Sequence, residues 1–355
     1  MLKHLLVQQL RNITSAQLPL QQFNVITGAN ASGKTSLLEA VYCLSCGKSF
    51  RGGSTKTLIQ QQQPSFSVVG WLDHPTHPYS IGIERNASDL KIKIAGNWVK
   101  TVSELARQFA VQIIHPESHE IFTQGSLLRR QLMDWGIFYN QPDFFSIWRR
   151  YSQALQQRNR ALKNEASPAA IRAWHPELIK TGELLIQYRQ AYSQQLMPYL
   201  QEYIQALLNL SSVDMALHSG LMTGKTLSES LEHSFSQDVA LGYTRYGAHR
   251  SDWVFKINKI PVQYYLSRAQ QKLLICALRL AQARLLRTWN QQPCVLLLDD
   301  LPAELDASRR EALMTLLLPL EMQVLVTTTD EDLLPLKVWP NFALFYMKQG
   351  ECWVR

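Results

Sequence analysis

Apolar and polar positions change period twice along the chain, and the changes mark three zones. From Leu5 to about Leu105 the apolar residues alternate in short runs. Ser67–Leu72, Tyr79–Arg85 and Leu90–Ala95 read as a strand meander, with a turn at Gly96 and Asn97 before Trp98 and Val99. Val25 to Thr27 is a strand entering a Gly-rich turn, and Thr35–Leu44 carries one early helical pattern. From about Pro116 to Gly242 the alternation gives way to spacings of three and four. Leu127, Leu128, Leu132, Trp135 and Phe138 show it, as do Phe144, Trp148, Tyr151, Leu155 and Leu162, then Leu184, Tyr188, Tyr192 and Leu196. This spacing predicts helices without strands, divided by Pro142, Pro168, Pro176 and Pro198. An antiparallel pair of arms of about 60 residues each reaches at most ~90 Å. The zone is therefore an arm or a compact helical lobe, not a very long coiled coil.

From Tyr243 the strand period returns, with Trp253–Ile257, a turn at Asn258 and Lys259, and Pro261–Tyr265. A long amphipathic helix follows, then the apolar runs Cys294–Leu298 and Val324–Thr327. Runs this apolar are strands buried on both faces, hence a parallel sheet covered by helices. Residues 1–115 and 243–355 are thus expected to be two halves of one α/β domain, interrupted by a helical insertion at 116–242.

Composition narrows the class. A chain of 355 residues that is 46% hydrophobic and 18% charged is neither disordered nor collagen-like. No run approaches the roughly 18 apolar residues of a membrane span. Five scattered cysteines make no disulfide framework, and MLKHLLVQQLRN has no apolar core of a signal peptide, so a reduced cytoplasmic protein is expected. The formal charge of +8 is informative through its location. Residues 116–245 hold 12 basic and 12 acidic side chains, which leaves 24 against 16 in the flanks. A polyanion is expected on the flanks rather than on the helical insertion.

The chemistry begins at Gly28, Ala29, Asn30, Ala31, Ser32, Gly33, Lys34 and Thr35, which satisfy G-x-x-x-x-G-K-[ST] between a strand and a helix. Backbone N–H groups and the helix N-terminus surround phosphates there, Lys34 neutralises their outer oxygens, and the Thr35 hydroxyl coordinates Mg²⁺. The run Val295–Leu298 ends in Asp299 and Asp300. One carboxylate at a strand end completes a Mg²⁺ shell and its neighbour orients or deprotonates the attacking water, so Asp299 is assigned to the metal and Asp300 to the water. Ser267 and Gln270 form a capping box at the start of the long helix, either a well-capped core helix or an anion site. Cys43 and Cys46 form a C-x-x-C without a second pair, which reads as packing.

A P-loop, a distant L-S-x-x-Q helix start, and an apolar strand ending in D-D before E-L-D resemble the head of the ABC/SMC class of ATPases. Within that class the chain resembles the RecF family of bacterial recombination and repair proteins. The resemblance is carried by LRNI at 10–13, TGANASGKTSLLEAVY at 27–42, GKSFRG at 47–52 and IHPESHEIFTQGSLLRRQLMD at 114–134. It continues in YTRYGAHRSD at 243–252, LSRAQQKLLICALRLAQ at 266–282 and LLLDDLPAELD at 296–306; residues 135–242 match only in helical character and length. The fold so implied is α/β, a P-loop ATPase head with a β-meander lobe and an inserted α-helical arm.

The resemblance implies an ATP-dependent DNA-binding protein of recombinational gap repair, a weak DNA-stimulated ATPase that dimerises with ATP and Mg²⁺ between two heads. It implies work with RecO and RecR in loading RecA at single-strand gaps, hydrolysis acting as the release timer. Carried residue by residue, 28–35 cradle ATP, Asp299 and Asp300 serve Mg²⁺ and water, and Ser267 reaches the other subunit's γ-phosphate. Asp306 lies near the same interface, and Arg11 and Asn12 fall where the first strand approaches the base. Lys48, Arg51 and Lys56, interleaved with Gly52 and Gly53, are candidate DNA contacts, whereas Arg129, Arg130, Arg149 and Arg150 read as helix-surface charges. The chain departs from the family at Ala31 and Ala269, where Gly is usual, and at Ala248, where Pro is usual. An alanine that must approach phosphate or adopt positive φ is expected to weaken ATP-driven association. Two alternatives stay open: an SMC-like or transporter-type ATPase head of another system, and a DNA marker for which ATP is only a structural ligand.

Overall fold

The computed structural model describes residues 1–73, 77–290, 294–339 and 341–354. Strands β1 (Leu2–Leu10), β2 (Ile13–Pro19) and β3 (Phe23–Thr27) precede helix α1 (Lys34–Cys46). Then come β4 (Ser65–Leu72), β5 (Tyr79–Asn86), β6 (Leu90–Ile94), β7 (Asn97–Val99), α2 (Val102–Gln108) and β8 (Ala110–Ile114). The middle holds α3 (Ser126–Asn140), α4 (Phe144–Lys163), α5 (Pro168–Arg172), α6 (His175–Leu208), β9 (Asp214–His218), α7 (Leu227–His233) and α8 (Phe235–Leu241). It continues through β10 (Asp252–Ile257), β11 (Ile260–Pro261), α9 (Val262–Tyr265) and α10 (Arg268–Asn290). β12 (Cys294–Leu298), α11 (Ala307–Leu317), β13 (Gln323–Thr328), β14 (Phe342–Lys348) and β15 (Glu351–Val354) close the chain. Among the described residues no helix is long and apolar enough to cross a membrane.

Two compact units emerge: Met1–Ser118 with Asn290–Arg355, and His119–Trp289. The first is built from two sheets. One is antiparallel, in the order β2-β1-β4-β5-β6-β7; the other runs β15-β14-β3-β13-β12-β8, parallel except for β15. The core contains α1 residues Leu37, Leu38, Val41 and Leu44, with Leu5, Val7, Phe66 and Ile81 of the first sheet and Val111, Val295, Leu297 and Leu325 of the second. Burial of each such leucine stabilises the unit by about 1.5–3 kcal/mol. Because α1 is buried around most of its circumference, polar Lys34, Ser36 and Glu39 are buried with it. Every residue of β12 and β13 is buried, as the unbroken apolar runs predicted.

The second unit departs from the expected pattern in four ways. A strand interrupts the helical zone: β9 pairs antiparallel with β10, Met215 opposite Phe255 and Leu217 opposite Trp253. Five residues are too few for alternation to announce themselves against helical neighbours. Pro198 does not divide the zone, because α6 runs through it for 34 residues, about 51 Å at 1.5 Å per residue. Leu196 and Leu200, fully buried on either side, hold the helix through the missing hydrogen bond. The expected strand at Pro261–Tyr265 stops at Pro261, and Val262–Tyr265 is helical. The turn before it is as read, with Asn258 and Lys259 both at positive φ as a tight hairpin needs. The compact unit also takes in residues 243–289, which the sequence grouped with the head. Buried Gln282 of α10 donates to the Leu132 carbonyl of α3 and to the Tyr192 hydroxyl of α6 (2.9 and 2.8 Å), and no linear pattern records such contacts.

Candidate nucleotide-binding site

The parallel sheet sets the site at the carboxyl ends of β3, β12 and β13, with β13 between the other two. The loop after β3 carries positive φ at Gly28 (153°), Ala31 (62°) and Gly33 (116°). A Cβ at position 28 would meet the Met347 carbonyl oxygen of β14 at 2.2 Å, and one at 33 the Met347 Cε at 2.8 Å. Glycine is therefore dictated by close approach as well as by conformation. Ala29, Asn30 and Ala31 form the exposed tip, and Ser32, Gly33 and Lys34 are buried beneath it. Lys34 Nζ donates to the carbonyls of Gly28 (2.8 Å) and Ala29 (3.2 Å), so the ammonium spans the loop from inside.

Asn12 braces this loop from the β1–β2 turn. Its amide donates to the Ser32 carbonyl (3.2 Å), and its carbonyl oxygen accepts from Ser36 Oγ (3.1 Å). Arg11 turns instead to Glu39 of α1, through Nε and Nη2 at 2.8 and 2.9 Å, and to the Thr57 carbonyl through Nη1 at 2.8 Å. Glu39 is fully buried and also accepts from Ser49. As a lone acid in an apolar helical run it gave no signal in the sequence, yet it anchors the turn holding Arg11 and Asn12.

The two acids at the end of β12 occupy different environments. Asp299 Oδ1 accepts from Thr35 Oγ1 and from Thr327 Oγ1, each at 2.9 Å. Thr327 accepts in turn from the Asp300 backbone N–H at 2.8 Å, so one hydroxyl fixes both acids. Thr327 is the site residue that motif reading missed; a hydroxyl one residue from the end of the strand between the P-loop strand and the acidic strand is the signal that could have found it. Burial pushes the Asp299 carboxyl above its ordinary range, the Thr327 and Thr35 hydroxyls pull it back, and Asp300 adds to the rise. Arg51 is near enough to lower it as well, which brings one DNA-contact candidate within electrostatic reach of the phosphate site. Asp300 adopts φ 49°, uncommon for a side-chain-bearing residue, and its buried Oδ1 has no hydrogen-bond partner.

These groups fit a magnesium nucleotide. Thr35 Oγ1 and Asp299 Oδ1 are adjacent oxygens of the kind a hard cation takes, Mg²⁺ being held by one or two protein ligands plus phosphate oxygens and water. Ser32 Oγ, like Asp300 Oδ1, is buried without a partner, and such orphaned groups mark where a polar ligand compensates.

The remaining candidates make hydrogen bonds with partners outside this cluster. Ser267 and Gln270, in the second unit, make the expected capping box: the Ser267 N–H donates to Gln270 Oε1 (2.9 Å) and the Gln270 N–H to Ser267 Oγ (3.3 Å). Ser267 is exposed, and its hydroxyl acts here as acceptor, which leaves its proton to donate outward. Ala269 follows within α10 and is not among the residues at positive φ, so the conformational penalty expected of it falls on Ala31 alone. Asp306 caps α11, accepting from the Arg309 N–H (2.9 Å) and pairing with its guanidinium (3.0 Å). Lys48, Arg51 and Lys56 are exposed around the short 3₁₀ turn Thr55–Thr57.

Comparison with known proteins agrees with this geometry. The RecF/RecN/SMC N-terminal domain family matches residues 1–350. The chain is 39% identical over 349 residues to the DNA replication and repair protein RecF of Hydrogenovibrio crunogenus, covering 97% of this chain and 96% of that protein. It is 36% identical to RecF of Actinobacillus pleuropneumoniae, covering 98% of each. A solved structure of the recombination mediator protein RecF with ATP, from the RecFOR pathway, superposes with a TM-score of 0.88 at 25% identity, covering 100% of this chain and 97% of that one. An SMC head bound to the C-terminal winged-helix domain of ScpA shares the fold alone, with a TM-score of 0.58 at 15% identity over 100% and 96% of the two chains. A P-loop braced by Asn12, an acidic strand end locked by Thr327, and kinship over nearly the whole length place the chain in the RecF family of the RecF/RecN/SMC ATPase heads.

Proposed function

We propose that this chain is an ATP-dependent DNA-binding protein of recombinational gap repair, in which ATP joins two copies on DNA and hydrolysis releases them. The observation that carries the reading is the Thr35–Asp299–Thr327 chain of hydrogen bonds at the C-terminal edge of one parallel sheet, with the Lys34 ammonium held on the carbonyls of the adjoining phosphate loop. Lys34 exchanges the Gly28 and Ala29 carbonyls for the outer phosphate oxygens, and the loop N–H groups take the rest. Thr35 and Asp299 hold Mg²⁺, which supplies charge neutralisation at those phosphates. Asp300, with an unpartnered oxygen, orients the attacking water. Ser267 donates its free hydroxyl proton to the phosphate held by a second copy, so that opposed heads close only with the triphosphate in place.

Lys48, Arg51 and Lys56 face DNA phosphates, and contacts of that kind give salt-sensitive binding with little sequence preference. Kinship with DNA replication and repair proteins named RecF, one of them solved with ATP as a mediator of the RecFOR pathway, supports the reading. In the same reading the chain acts with RecO and RecR in loading RecA at single-strand gaps, in the cytoplasm. Sedimentation velocity with and without ATP–Mg²⁺ and a gapped duplex tests the reading. A dimer that forms with ATP–Mg²⁺, is favoured by the duplex and is absent in Lys34→Ala is expected. Nucleotide-independent sedimentation in the native chain rejects it.

A further inference from the structure

Several acids of the helical unit are committed to internal ion pairs. Arg129 pairs with Asp252 (2.7 Å), Arg150 with Glu177 (2.6 Å), Arg158 with Asp238 (2.9 Å) and Arg189 with Asp134 (2.9 Å). Segment 243–250 is different, because it displays cations without carboxylate partners. Arg250 lies over the exposed ring of Tyr243 at 5.5 Å, Arg245 lies over Tyr246 at 5.5 Å, and neither guanidinium forms an ion pair among the described residues. Exposed Lys163, in the last turn of α4, runs its stem along Gly242 at the start of the segment.

Beneath this surface the backbone is fixed by buried polar groups. Arg158, wholly buried, donates to Asp238 and to Thr244 Oγ1 (2.7 Å). Asp238 accepts from the Arg245 N–H at 3.2 Å, and Asn159 Oδ1 from the Thr244 N–H and hydroxyl at 2.8 and 2.7 Å. Arg189 Nη1 binds the Ala248 carbonyl. His249 Nε2 donates to the Thr244 carbonyl (3.0 Å) while Nδ1 accepts from Tyr151 (2.8 Å), which closes the segment on itself. Burying a charged pair is a poor way to stabilise a fold, but it holds an exposed segment in one geometry.

We propose that segment 243–250 is a preformed contact for single-stranded DNA, with Arg245, Arg250 and Lys163 on phosphates and the Tyr243 ring stacked on an unpaired base. The assignment rests on the DNA-binding reading above and adds to it a surface on the helical unit, whose residues 119–289 carry 20 basic against 12 acidic side chains. Aromatic rings beside arginines on a rigid backbone are how single strands are held without reading sequence.

The test is fluorescence anisotropy of the full-length chain with ATP–Mg²⁺, titrated into a labelled oligothymidylate of about 20 nucleotides and a duplex of equal length at several salt concentrations. Tyr243→Ala is expected to weaken oligothymidylate binding about tenfold and leave the duplex within about twofold, while Tyr243→Phe binds as the native chain does. Arg245→Gln with Arg250→Gln is expected to reduce the salt slope on the single strand by about 0.7 for each arginine removed. All three variants alter exposed or half-exposed side chains and are expected to melt as the native chain does. A native chain that binds DNA, with variants matching it in affinity and slope, overturns the assignment and leaves the DNA reading standing. A native chain that binds neither oligonucleotide removes both.

Discussion

Ala31 stands at φ 62° on the exposed tip of the phosphate loop, where an L-residue with a Cβ is about 1–2 kcal/mol less stable than in its preferred regions. Ala31→Gly is therefore expected to stabilise the nucleotide-free protein by roughly 1 kcal/mol, after allowing for the entropy that glycine gains when unfolded. Thermal unfolding checks it, and a lower Tm would refute the strain. The sequence showed an alanine in a place for glycine, and only backbone geometry separated this position from Ala269, where the helix accepts alanine readily. The positions of Lys34, Thr35 and Asp299 at strand and helix ends, and the cap at Ser267, were legible because local residue type and spacing specify them. Thr327 and Glu39 were not, since threonine ends many strands and a lone glutamate many helical turns; their partners lie 28 residues away or on another turn.

Among the elements, segment 243–250 depends on one neutral imidazole. Burial pushes His249 down from 6.5 to about 4, consistent with a ring that donates through Nε2 and accepts through Nδ1. The unfolded ring takes up its proton below about pH 6.5, the folded ring only near 4. Its contribution is complete above pH 6.5 and is lost as the pH falls towards 4, up to about 3 kcal/mol. Native Tm is expected to fall across that window, and His249→Gln is expected to flatten the fall; an unchanged profile would show that the ring does not titrate with folding. The meander β4–β7 and strands β12 and β13 were readable because period and burial coincide in them. β9 and the course of α6 through Pro198 were not, because pairing with β10 and a buried helix face override local preference.

At the scale of the molecule, distant segments of the second unit are joined by ion pairs as well as by its apolar core, and of these pairs Arg158–Asp238 is buried completely. Asp238→Ala leaves that guanidinium without its carboxylate and is expected to destabilise the unit by about 3–5 kcal/mol. Denaturant unfolding followed by tryptophan fluorescence, to which buried Trp253 contributes, reads the change. Arg158→Met combined with Asp238→Leu is expected to recover most of it, because the loss comes from an unpaired charge and not from missing attraction. An Asp238→Ala chain as stable as the native one would contradict this.

What the sequence determined by itself was the chemistry and its order along the chain: a phosphate loop, then a capped helix, then an acidic strand end. Each is a local pattern whose residue types are constrained by the anion, the cap or the cation they meet. Tertiary structure alone decided that β13 brings Thr327 between the P-loop and Asp299, that residues 243–289 join the helical unit, and that segment 243–250 presents arginines beside aromatic rings. Those outcomes depend on which distant side chains pair and which are left outside, and net charge or period along a single strand of sequence contains no such information.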